Sequence, residues 1–288
     1  MPKYYEFKVA GYYLYFTSFC VIECMHVHAS DRKLTENGSA KFFVKDNQIK
    51  DNKIKITGED VNHISNVLRM RKEDELQICN QDTAENYMAK ILTSSKEYVE
   101  CQILEKINYT TEPNVNITLF QGIPKFEKME LIIQKNTEIG IKEIIPVIMD
   151  RTVVKLNDKL TTKKIERWQK IAEIAAKQSM RDIIPKIENV IKIKDIEKLK
   201  DYYDVILVAY ENEDKNLLKT ELKILKEQNN DSKVCNIAIV IGPEGGISEN
   251  EIEILKQCNA KFVSLGKRIL RTETAGIVMA SNILYELD

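Results

Sequence analysis

Three stretches late in the sequence carry residue types that could hold and transform a small molecule. The first is Gly242-Pro-Glu-Gly-Gly246, the second runs from Leu265-Gly-Lys-Arg-Ile-Leu-Arg to Thr272-Glu-Thr-Ala275, and the third is Tyr210-Glu211. Gly242, Gly245 and Gly246 permit positive φ and let a ligand approach the main chain closely. Glu244, Glu273 and Arg271 add charge beside them. The chemistry this supports is main-chain hydrogen bonding to a polar ligand with charged groups at hand. A P-loop is excluded, because no Gly-Lys-[Ser/Thr] follows the glycines. The dinucleotide fingerprint is missing too, and Gly122-Ile-Pro124, at the first strand-to-helix turn, offers no substitute. The alternative that these glycines are only turn residues stays open at this level.

The elements that must position these stretches are legible. Ile237-Ala-Ile-Val-Ile241 is an unbroken apolar run bounded by glycine, as suits a parallel strand buried on both faces. Ser248 and Glu251 form a capping box, so a helix starts where the first glycine loop ends. Lys261-Phe-Val-Ser-Leu265 runs into the second stretch, and Val205-Ile-Leu-Val-Ala209 into Tyr210-Glu211. Ligands of open α/β sheets bind at the carboxyl ends of strands, where all three stretches fall. Upstream, residues 117–120 and 144–148 read as strands, with Pro146 favouring an edge or irregular position. Helices are expected over 126–139, with Gly140 as C-cap, over 161–179, 217–225 and 274–287. In the second of these Ile165, Trp168, Ile171, Ala172 and Ala175 share a face, and Trp168 reads as core. Strands alternating with helices signal a parallel sheet.

The first half is different. Short strands at 41–44, 76–79, 87–92 and 98–104, with turns between, predict a small β-barrel. Residues 58–68 predict a helix with Val61, Ile64, Val67 and Leu68 on one face. Just beyond lie Arg69, Arg71 and Lys72, which either complement a helix C-terminus or contact a phosphate backbone. Residues 108–114 are the best linker candidate, dividing a region 39–112 from 113–288. Residues 1–38, rich in Tyr and Phe, are expected to be an extension outside the core, with Met25 as an internal candidate start. His26-Val-His28 alone makes no metal site.

Composition sets bounds. Lys plus Arg (43) nearly cancel Asp plus Glu (44), so net charge does not point to nucleic acid, although a basic face can hide in such a total. No run approaches the length of a membrane span. Tyr12 to Cys24 is apolar but short and lacks a cleavage signal. Cys20, Cys24, Cys79, Cys101, Cys235 and Cys258 form no CxxC pair, which fits a reducing cytoplasm.

The residues by themselves stop at an α/β domain with a ligand crevice. A resemblance goes further. Gly242-Pro-Glu-Gly-Gly246, followed by Leu265-Gly-x-x-Ile-Leu-Arg-Thr-Glu-Thr-Ala275, closely resembles the SPOUT class of methyltransferases, and within it the bacterial family that methylates N3 of a uridine in 16S ribosomal RNA. Lys128-Met-Glu-Leu-Ile-Ile-Gln-Lys-x-Thr-Glu-Ile-Gly140, Arg167-Trp-Gln-Lys-Ile171, Gln178-Ser-x-Arg181, Phe42-Phe-Val44 and His63-x-x-x-Val-Leu-Arg69 match in order, over roughly 41–287.

The resemblance implies a trefoil-knotted α/β domain, which general topology rules argue against, together with a PUA-like RNA-binding barrel and a homodimer. It implies S-adenosylmethionine as cofactor, held by Tyr210, Glu211, Ile241, Gly242, Pro243, Glu244, Gly245, Gly246, Leu265, Gly266, Ile269, Leu270, Thr274 and Ala275. Arg69, Arg71 and Lys72 become RNA contacts, and 16S rRNA or the small ribosomal subunit the partner. The sulfonium already activates its methyl group, so no metal is expected, and no membrane. Arg181 is the first candidate to stabilise the uracil anion, with a helix-end cap as its alternative role, and Arg271 the second. Glu244 or Glu273 is the candidate base, unless it only holds a loop. Met180 stands where the family has a small residue. Competing expectations are ribose 2′-O methylation on the same knot, and a non-catalytic ribosome-binding factor.

Overall fold

Strand Lys53–Thr57 is alternately exposed and buried along its length, the pattern of a sheet with one wet face. It belongs to the first of two large sheets. The computed structural model of the protein describes residues 5–9, 12–16, 41–154, 158–228 and 234–288. Two units divide the chain, Met1–Gly38 and Ser39–Asp288. In the first, β1 (Tyr5–Val9) and β2 (Tyr12–Phe16) pair antiparallel, Val9 opposite Tyr12. His26, His28, Cys20 and Cys24 lie outside the described residues.

The second unit begins with β3 (Lys41–Val44), β4 (Ile49–Lys50), β5 (Lys53–Thr57), α1 (Glu59–Asn62), β6 (Glu75–Asn80), β7 (Asn86–Ser94) and β8 (Tyr98–Ile107). The strands form one sheet in the order β3-β6-β7-β8-β5-β4, parallel only between β3 and β6. Register shifts between Met88 and Ala89 and between Ile91 and Thr93 bend β7, the usual means by which a sheet curls on itself. Phe42, Val44, Ile54, Ile56, Val61, Ile64, Leu76, Ile78 and Ile91 fill the interior.

The helix expected over 58–68 is only partly present. After α1 the chain widens into a π-turn over His63–Val67, with the Leu68 N–H reaching back to the His63 carbonyl. The wider turn rotates the later residues off the buried face. Val61 and Ile64 are buried, but Val67 and Leu68 are exposed.

Then follow β9 (Val115–Gly122), α2 (Lys128–Ile139), β10 (Glu143–Ile148), α3 (Asp158–Gln178), β11 (Lys186–Ile187), β12 (Ile191–Lys192), β13 (Val205–Ala209), α4 (Leu218–Gln228), β14 (Cys235–Ile241), α5 (Glu249–Gln257), β15 (Lys261–Val263) and α6 (Thr272–Leu287). The sheet is parallel, ordered β11-β10-β9-β14-β13-β15, with β12 also on β10. Pro146 falls in the gap between the β11 and β12 pairings, where no outer partner needs its missing N–H. One face of the sheet is covered by α2, α3, α4 and α6 through Ile132, Ile133, Trp168, Leu222, Met279 and Ile283. The other packs on α5 and the 193–198 turn through Phe120, Val208, Val240, Ile196 and Leu255. Burial on both faces is why β14 reads as continuous apolar sequence.

The barrel is fastened to this domain at the end of α3. Lys41 forms a buried ion pair with Asp182, whose other oxygen accepts from the Thr111 N–H (2.7 Å) and the Thr110 hydroxyl (2.8 Å). Segment 108–114 therefore joins the two sheets as a bonded strut.

Candidate active site

The carboxyl ends of β13, β14 and β15 open into one cleft. Its walls are Ala209 to Glu211, Ile241 to Glu244 with Gly246 and Ile247, and Ser264 to Leu270, with Thr272 and Ala275 beneath. Local chemistry builds each wall. In the first loop the Gly246 N–H closes a turn on the Pro243 carbonyl (2.9 Å), and Gly246 has φ +74°, a left-handed conformation that side chains disfavour. A Cβ at Gly245 would lie 2.9 Å from Arg151 Cβ, and one at Gly122 only 2.6 Å from the Pro243 ring. Gly122, with no role in the sequence reading, lets the end of β9 pack against the loop. Helix α5 starts at once: Ser248 Oγ accepts from the Glu251 N–H (3.3 Å) and the Ser248 N–H donates to Glu251 (2.8 Å).

The second loop is bound to the first from below. Thr272 Oγ1 donates to the Gly242 carbonyl (2.6 Å) and accepts from Gln121 Nε2 (2.9 Å). Gly266 has φ +113° and open space where a Cβ would stand. Ile269 is 86% exposed, an uncovered apolar side chain on a cleft wall. Arg151, just past β10, donates from Nη1 to the Gly245 carbonyl (2.8 Å).

Of the expected cofactor residues, Tyr210, Glu211, Ile241, Gly242, Pro243, Glu244, Gly246, Leu265, Gly266, Ile269, Leu270 and Ala275 line the cleft, whereas Gly245 and Thr274 do not. The sequence reading missed Ala209, Ile247, Ser264, Lys267, Arg268 and Thr272 as lining residues. All of them sit inside or beside the stretches singled out. It also missed Arg151, whose contact depends on β10 ending beside β14's loop across β9.

Two of the expected catalytic residues are held by other groups, as their alternative roles would have it. Arg181 does not line the cleft. Its guanidinium is buried, donating from Nη1 to the carbonyls of Thr137 (3.1 Å) and Ile141 (2.6 Å) and pairing with Glu112 through Nε and Nη2. Four of its five N–H donors are engaged in this way, so it caps α2 and ties segment 108–114 to the end of α3. Glu244 is the second such residue. Burial pushes its carboxyl up, but its own N–H, the Lys125 N–H and the Lys128 ammonium outweigh that and hold it below the usual range. The contacts from the Lys125 N–H and the Lys128 ammonium fasten the loop at Glu244. Arg271 is exposed at the N-cap of α6, between two cleft residues, and its side chain makes no capping bond.

Arg69, Arg71 and Lys72 are all exposed. Arg69 takes φ +56°, which turns the chain away after the π-turn. Among the described residues, no group of three or more His, Cys, Asp or Glu side chains could hold a metal ion, and no helix is long and apolar enough to cross a membrane.

Comparisons with known proteins agree with this geometry. Residues 111–284 match the RNA methyltransferase domain family, and residues 56–104 the RNA methyltransferase PUA domain family. A ribosomal RNA small subunit methyltransferase E from Bacillus subtilis is 39% identical over 233 residues, spanning 81% of this chain and 90% of its own. One from Mesomycoplasma hyopneumoniae is 33% identical over 246 residues, spanning 85% and 99%. The crystal structure of the Neisseria gonorrhoeae methyltransferase E, bound to S-adenosyl methionine, superposes with a TM-score of 0.72 at 27% identity, covering 85% of this chain and 96% of that one. A glycine-looped cleft at the strand ends of a SPOUT-type parallel-sheet domain, joined to a PUA-like barrel, defines an RNA methyltransferase. The chain belongs to the ribosomal RNA small subunit methyltransferase E family.

Proposed function

We propose that this protein transfers a methyl group from S-adenosylmethionine to N3 of a uridine in 16S rRNA. The carrying observation is that three parallel-strand ends converge on one cleft in a chain of this family. The cleft fits the cofactor. Leu265, Ile269 and Leu270 offer an apolar wall for an adenine face, with Ile269 exposed and ready to be covered. Main-chain groups at Gly242, Gly246 and Gly266 are approachable because no side chain intervenes. Glu211, exposed beside Gly246, is placed to accept from ribose hydroxyls.

The bound cofactor supplies an electrophilic methyl group on a sulfonium. The protein's own work is orientation for in-line transfer and stabilisation of charge on the uracil as N3 gives up its proton to water. With Arg181 committed to the fold, Arg271 takes the cationic role at O2 or O4. The nucleophilic N3 lone pair forms the new bond to carbon as the carbon–sulfur bond breaks, and sulfur leaves neutral with the electron pair.

Residues 39–112 hold the RNA through Arg69, Arg71 and Lys72, and 113–288 carry the reaction, with 1–38 outside this core. The protein acts in the cytoplasm as a homodimer. What supports the dimer is Tyr285, 91% exposed, in a groove with Ile139 and Leu284 beside the α2–α6 pair. Light scattering of the purified chain checks that state. For the reaction, nucleosides of 16S rRNA are analysed with and without the gene. Loss of 3-methyluridine is expected; its persistence, with loss of a 2′-O-methylated nucleoside, would replace the N3 assignment.

A further inference from the structure

Lys128 begins α2, where a cation opposes the helix dipole. Something else must account for its position. Its Nζ lies 3.1 Å from Glu244 Oε1 and 3.3 Å from Glu273 Oε2. Glu244 belongs to the first glycine loop, and Glu273 to the first turn of α6 directly after the second. The Glu273 side chain is only 14% exposed, and its Oε2 has no aligned hydrogen bond, so the Lys128 charge is its compensation. Glu244 additionally accepts from the Lys125 N–H at 3.0 Å. The N-terminus of α2 thus grips the first loop at two points, and one ammonium stands between a carboxylate of the first wall and one from the helix that follows the second.

We propose that Lys128 is a positioning residue that locks the two cofactor-binding loops into one geometry. This rests on the cleft being the S-adenosylmethionine site. Without the ammonium, Glu244 and Glu273 face each other uncompensated, and repulsion drives the loop of Glu244 away from α6. Thr272 still links the loops through the Gly242 carbonyl, so the fold persists while the closed arrangement becomes a minor population. Apparent affinity falls by the fraction that remains competent. Lys128 touches no reacting group in this scheme, so its loss spares the chemical step once cofactor saturates.

The test measures S-adenosylmethionine binding by calorimetry and turnover on small subunits from cells lacking the gene. Lys128→Met is expected to raise Kd and KM for the cofactor about tenfold, with kcat at saturation unchanged within about twofold. Lys128→Arg should restore binding. Lys128→Met combined with Glu244→Gln should recover part of it, because one of the two repelling charges is gone; a general folding defect would not be relieved this way. A fall in kcat at unchanged cofactor affinity overturns the proposal, as does a double variant no better than Lys128→Met. Absence of binding by the unaltered protein would instead overturn the assignment of the cleft itself.

Discussion

Arg181 and Glu112 face each other fork to fork at the junction of the two sheets, the guanidinium side chain 4% exposed and the carboxylate 12%. Glu112 also receives the N–H groups of Asp182 (2.8 Å) and Ile183 (3.1 Å), so one carboxylate organises the turn after α3. The pair makes a residue of an apparent catalytic motif into the joint between the RNA-binding and methyl-transfer parts.

Removal of Arg181 should therefore be felt as instability. Arg181→Ala strands Glu112 and frees two buried carbonyls, and breaking such a pair costs about 3–5 kcal/mol. Urea unfolding should show that loss, while the folded fraction binds S-adenosylmethionine as before. Full stability with turnover abolished would return Arg181 to the reaction.

Met180 predicts the opposite sign. It has φ +59°, the left-handed position that ends α3, with the Arg181 N–H reaching back to the Ala176 carbonyl (3.0 Å) as in a glycine-capped helix. A side chain there costs roughly 1–2 kcal/mol. Met180→Gly should stabilise by about 1 kcal/mol, a little of the relief being lost to the freer unfolded chain. Thermal melting should rise by about 2–4 °C; a fall would mean the Met180 side chain contributes more packing than its backbone costs.

Acid should loosen the same junction. Burial raises the Asp182 carboxyl, but the Lys41 ammonium, the Thr111 N–H and the Thr110 hydroxyl outweigh it and leave the pKa below the ordinary value. A group depressed on folding stabilises fully above its unfolded pKa, near 4, and the contribution disappears as pH falls through the folded value. Stability measured from pH 6 down to pH 3 should drop steeply below about pH 4, and Asp182→Asn should flatten that part of the curve. An identical acid limb in the variant would place the sensitive group elsewhere.

The basic corner of the barrel makes a prediction about salt. Arg71 and Lys72 are exposed and form no ion pair among the described residues. If they meet phosphates, Arg71→Ala with Lys72→Ala should weaken binding to 16S rRNA and reduce the slope of log K against log salt by about 1–2. An unchanged slope would remove them from the interface.

Local rules worked where a residue's neighbours in sequence decide its state. The Ser248–Glu251 box starts α5, Gly140 ends α2 at φ +124°, and Trp168 packs inward at helical spacing. They failed where one turn changed type. The π-turn at His63–Val67 exposes Val67 and Leu68, and the 3.6-residue period that grouped them with Ile64 assumes a regular helix. Segment 108–114 looked like a linker because its composition is polar, yet Thr110, Thr111 and Glu112 spend that polarity on Asp182 and Arg181.

The cleft shows the same division. Glycines, apolar strands and helix caps are short-range properties, and the sequence alone determined from them that Tyr210-Glu211, Gly242 to Gly246 and Leu265 to Leu270 end three strands of one parallel sheet. Which charged side chain meets which is a long-range property. Arg181 meets Glu112 across 69 residues of chain, and Lys128 reaches Glu244 and Glu273 from a different helix. A charge's role depends on its partner and on the water excluded around both, so only the tertiary structure could assign Arg181 to Glu112 and Lys128 to Glu244 and Glu273.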